Sequence, residues 1–112
     1  MEIEQARAGI RRELDWAAAA RGAGNDGKAR VCARRAAGIA IAYWLEHHPE
    51  RIWGLDAMTR LNHVRTDSTL PAEVREAATR LTTKITEQFF SAFSTNPLDD
   101  CRILADYFLG GR

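Results

Sequence analysis

Lysine is almost missing from this chain: of sixteen basic residues only Lys28 and Lys84 are lysines. Nineteen alanines accompany the arginines, a pairing that a compositional bias of the coding genome is able to produce unaided, so arginine alone does not point to nucleic acid. Cysteine is limited to Cys32 and Cys101, far apart and outside any C-x-x-C pair. No disulfide framework or thiolate metal site is implied, and both read as small buried hydrophobes. No apolar stretch free of charge exceeds Ala36 to Leu45, roughly half of the ~20 residues that a membrane span requires. Glu2, Glu4, Arg7, Arg11, Arg12, Glu13 and Asp15 leave no room for the apolar core of a secretory signal. A cytoplasmic protein with no membrane contact is therefore expected. Neither sign of charge dominates: the net charge is +1 and the pI near 7.9, short of the balance of a dedicated phosphate-backbone binder. No internal repeat and no run of alternating β-branched residues is evident.

What is present is enough for one helical domain over residues 1–112. At 46% hydrophobic and 28% charged, a chain this long buries about 60–70% of its extended surface without staples. Ile3, Ala6, Ile10, Leu14 and Ala17 recur at three- and four-residue steps, which predicts a first helix over 2–21, ended by Gly22-Ala23-Gly24. Asn25 or Asp26 caps a second helix over 27–46. From Ala36 to Leu45 that helix is apolar on every side, the pattern of a central rod enclosed by neighbours. Ala29, Ala33, Ala37 and Ala40, with Gly38 beside them, form a small-residue stripe that lets another helix come close, and a second chain is one candidate for that partner. Trp53 and Gly54 begin a connector, and 55–65 fits a short third helix with Ala57, Met58, Leu61 and Val64 on its apolar side. Pro71 opens a long fourth helix, Ala72 to Phe93. Asn96 and Pro97 start a fifth that runs to Leu109. The fold class expected is all-α, an up-and-down bundle of four main helices plus one short helix. Trp16, Tyr43, Trp44, Phe89, Phe90, Phe93, Tyr107 and Phe108 are its expected bulky core.

Four groups of residues bear on chemistry. Gly22 to Lys28 matches G-x-x-x-x-G-K literally, but Ala29 stands where magnesium binding needs Ser or Thr, and a helix precedes where a strand is required. The turn still offers free amides next to Lys28, Arg30, Arg34 and Arg35, a candidate anion or nucleic-acid site; the same residues also suit a solvated face. His47 and His48 lie between Glu46 and Glu50, yet adjacent helical residues diverge by about 100°, so a shared metal is not expected and the imidazoles suit a helix C-terminus. No metal and no cofactor is expected anywhere in the chain. Asp56, Arg60 and His63, at i, i+4 and i+7, line up an acid, a cation and a titratable ring as the candidate catalytic set.

The order of features also resembles the HEPN domain, named for higher eukaryotes and prokaryotes nucleotide-binding. The resemblance is carried by Asp15-Trp16-Ala17-Ala18 in the first helix, Arg34-Arg35-Ala36-Ala37-Gly38-Ile39-Ala40 in the second, Asp56 to Val64 and Ala72 to Phe93. It implies a small helical bundle that pairs as a homodimer, partners a minimal nucleotidyltransferase in a toxin and antitoxin pair, or cleaves RNA without metal. The ribonuclease branch of the family uses Arg, four to six residues, then His. No histidine here complies: Arg60 precedes His63 with only Leu61 and Asn62 between. The resemblance thus implies a noncatalytic accessory module, with a variant Arg60 and His63 ribonuclease as the alternative.

Overall fold

The structure is a computed structural model that describes residues 1–83 and 96–111. It is an all-α bundle, with no strand among the described residues: α1 (Ile3–Gly22), α2 (Asp26–Leu45), α3 (Ala57–Thr66), α4 (Ala72–Thr82) and α5 (Pro97–Asp106), followed by a wide turn at Tyr107–Gly111. None of these helices is long and apolar enough to cross a membrane. Local chemistry sets the ends. Gly24 takes φ +79° after α1, the left-handed conformation that glycine reaches without a Cβ penalty, and Asn25 then accepts from the Lys28 amide at 3.0 Å to cap α2. Asn96 does the same for α5, accepting from the Leu98 amide at 3.0 Å with Pro97 in the first turn. α5 ends at Asp106, short of the expected Leu109, and Gly110, at φ +95°, closes the wide turn that follows.

The rod expected at the centre is there, because α2 packs against every other helix. Ala36, Ala37, Ala40 and Ile41 are fully buried. The alanine stripe is consumed inside the chain. Ala29, Ala33, Ala37 and Ala40 have no exposed surface, and a Cβ built on Gly38 would lie 2.7 Å from the Ala57 Cβ. Close approach is what the small residues permit, and at Gly38 the approaching element is α3 of the same chain. A second chain therefore finds no alanine face to dock on.

Three further expectations change. Trp16 is 50% exposed rather than core, since the inner face of α1 is set by Ala6, Ile10, Ala17 and Ala20, and residue 16 projects about 100° away from residue 17. Trp53 lies in the connector, as expected, yet it is only 7% exposed and joins the bulky core, where sequence reading does not place it. α4 ends at Thr82, with Thr83 extended at ψ 130°, and the rest of the expected helix, from 84 to Phe93, lies outside the described residues. The last turn of α4 is tied off. The hydroxyls of Thr79, Thr82 and Thr83 donate to the carbonyls of Arg75, Ala78 and Thr79. Arg30 donates to the carbonyls of Arg80 and Thr83, and Arg34 to that of Leu81. Carbonyls claimed by guanidinium groups need no following turn. Phe89, Phe90 and Phe93 lie outside the described residues. Tyr43, Trp44 and Tyr107 are half-buried, and Phe108 is buried.

Candidate functional site

The chemistry-bearing side chains converge on the connector between α2 and α3. His47 and His48 place Nδ1 3.1 and 2.9 Å from the carbonyls of Tyr43 and Trp44. A carbonyl can only accept, so Nδ1 carries the proton in both rings and the imidazoles finish α2. Beyond them four rings form a column. His48 stacks on Trp44 at 3.9 Å, Trp44 meets Trp53 at 5.3 Å, and Trp53 lies parallel to His63 at 5.7 Å, with an interplanar angle of 2°. The Arg51 guanidinium sits over both indoles, 5.2 and 5.4 Å from their centroids. Arg51 is held there by an ion pair with Asp67 and a bond to the Thr69 hydroxyl at 3.3 Å.

Within this frame each member of the candidate catalytic set has a fold-bearing role. Asp56 is the N-cap of α3, accepting from the Thr59 amide and the Thr59 hydroxyl, each at 2.8 Å. Those bonds, the amide first, hold its carboxyl below the ordinary value. Arg60 donates Nε to the Gly54 carbonyl at 3.1 Å, securing a turn in which Gly54 is left-handed at φ +79°. His63 lies against Trp53. Among the described residues no hydrogen bond or ion pair joins His63 to Asp56 or Arg60. Cys101 offers no nucleophile: it is buried, and burial pushes its thiol up to about 12. Among the described residues, no three His, Cys, Asp or Glu side chains gather as a metal set.

The basic quartet is also dispersed. Lys28 is exposed, Arg30 and Arg34 turn inward to α4, and Arg35 pairs with Glu13 at 3.2 Å. Burial lowers the pKa of Arg30 and of Arg34 from the ordinary guanidinium value. Nearby, Asp100 is 2% exposed and accepts from Arg80 Nε at 2.9 Å. No family model, curated protein or solved structure matches this chain.

Sequence reading missed two features here. The ring column was hidden because its members come from three separate segments. The other feature is an apolar edge: Ile52 and Leu55 are 86% and 91% exposed, with Met58 beside them at 39%. α3 starts at Ala57 rather than Leu55, which leaves Leu55 on the connector, and Met58, expected on the apolar side of the helix, is exposed. The N-cap role of Asp56 did have a signal, since an acidic residue directly before a helix is a favoured cap.

Acid is expected to loosen the anchor that Asp67, at the end of α3, gives the connector through Arg51. The Thr69 hydroxyl foremost, then the Thr69 amide and Arg51, hold the Asp67 carboxyl below its ordinary value. A carboxyl depressed in the fold contributes stability that is complete above its unfolded pKa, about 4, and is lost as pH falls through the folded value. Melting temperature is thus expected to fall below about pH 4 more steeply for the parent than for Asp67→Asn, which has no proton to take up. Parallel acid limbs for the two proteins would contradict this account.

Proposed function

We propose that this protein is a noncatalytic, HEPN-like helical interaction module, a binding partner for another protein rather than an enzyme. The observation that carries the reading is the employment of Asp56, Arg60 and His63 as cap, turn clamp and stacked ring. A general base must reach the proton it abstracts and an electrophile the charge that develops. Here the carboxylate is committed to Thr59, and the guanidinium Nε to a backbone carbonyl. The dispersal of Lys28, Arg30, Arg34 and Arg35 likewise favours a protein partner over RNA. Self-association or pairing with a nucleotidyltransferase remains in keeping with the HEPN resemblance, through surfaces other than the alanine face.

The test is incubation of the purified chain with mixed RNA, alongside His63→Ala. The expected result is intact RNA with both proteins over hours. Cleavage that His63→Ala abolishes would overturn the proposal in favour of the ribonuclease reading. His63→Ala is expected to fold, because the ring is exposed and covers only one face of Trp53.

A further inference from the structure

A groove of about 680 Å³ lies between the start of α1, the start of α4 and the end of α5. Its apolar lining includes Val74, which is buried, and Ile103 and Tyr107, which are half-buried. Its rim is charged: Arg7, Glu73 and Asp106 line it and all three are exposed. Arg7 is already answered by Glu4 at 3.3 Å. Glu73 and Asp106 have no ion pair or side-chain hydrogen bond among the described residues. Glu73 stands in the first turn of α4, where the helix dipole suits a carboxylate. Asp106 is the last residue of α5, where the negative end of the dipole opposes one. Its side chain stands at the mouth of the groove. Breaking a local rule of this kind is characteristic of positions kept for binding.

Resting on the interaction-module reading, we infer that this groove receives a short peptide segment of a partner protein, with lysine or arginine flanked by aliphatic side chains. The volume lies in the range of ligand sites, about 300–1,000 Å³. The open, exposed rim argues for a segment presented by a larger body, because a free small ligand is held by burying some 70–90% of its surface. Aliphatic side chains meet Val74, Ile103 and the Tyr107 ring, while the cation meets Glu73 and Asp106. Among the described residues, the rim carries one more negative than positive charge, which opposes an acidic segment.

Amide NMR shifts of the labelled full chain test this with three probes: acetyl-Leu-Lys-Val-Lys-Leu-amide, its counterpart with glutamate in place of lysine, and free hexylamine. Saturable shifts at Val74, Ile103 and Tyr107 are expected with the basic peptide alone. Combining Glu73→Gln with Asp106→Asn should weaken that binding by roughly fivefold, as two exposed ion pairs allow, without lowering the Tm. Failure to bind the basic peptide at up to about 1 mM would overturn the inference. So would equal binding of the acidic peptide, or hexylamine binding as tightly as the basic peptide. The groove and the noncatalytic reading fail separately: shifts confined to Ile52 and Leu55 overturn the first, whereas RNA cleavage overturns only the second.

Discussion

Replacing Trp53 by alanine is expected to destabilise the protein by about 3–5 kcal/mol, the cost of emptying a buried aromatic site. Trp53 is 7% exposed and touches Trp44, His63 and the Arg51 guanidinium, so its loss leaves a hole that three elements share. Collapse into that hole is opposed by the Arg51 to Asp67 pair, which fixes one wall. At roughly 4–8 °C per kcal/mol for a domain of this size, thermal melts followed by circular dichroism should move down by about 12 °C or more. Trp53→Phe keeps a ring between Trp44 and His63 and should lose less than half as much. An alanine variant melting within a few degrees of the parent would remove the column from the core.

Gly38→Val is expected to cost about 3 kcal/mol, at the upper end for forcing extra atoms into a packed interior. The Cβ it brings would sit 2.7 Å from the Ala57 Cβ and 3.3 Å from the Ala57 Cα, and the second of these is backbone. Valine gains a few tenths of a kcal/mol in helix propensity over glycine, far too little to offset the clash. A second substitution tells a local collision from a general loss of packing. Ala57→Gly removes the nearer atom, so the double variant should recover at least about a third of the lost stability, a non-additivity expected only of residues in contact. Chemical denaturation of the four proteins measures it, and simple additivity would refute the contact.

Much of the bundle was readable because its signals are local. Asn25, Asn96 and Pro97 mark helix starts by hydrogen-bonding chemistry that operates within three residues. The run from Ala36 to Leu45 identifies a central helix, since a rod with no polar side must be covered all round. The alanine stripe correctly implied a close approach, yet nothing in spacing says whether the neighbour is α3 or another chain. The fourth helix shows the opposite failure. Its apolar rhythm continues past Thr83, and only the guanidinium groups of Arg30 and Arg34, some fifty positions earlier in the chain, reveal where it stops. The candidate site followed the same division. Spacing put Asp56, Arg60 and His63 along one segment, but Trp53 and Gly54, which claim His63 and Arg60, belong to the connector before it.

The clasp that Arg30 and Arg34 place on α4 gives the chain's scarcity of lysine an architectural meaning. Arg60 grips Gly54 and Arg75 grips Leu70 in the same manner, each aiming Nε at a main-chain oxygen. A planar fork with several fixed donors can hold a bend in place, whereas an ammonium on a floppy stem offers only a point of charge. Lysine-for-arginine exchange at these four places would leave every charge count untouched and still slacken the corners. Here arginine is the mortar of the building more than its electrical finish.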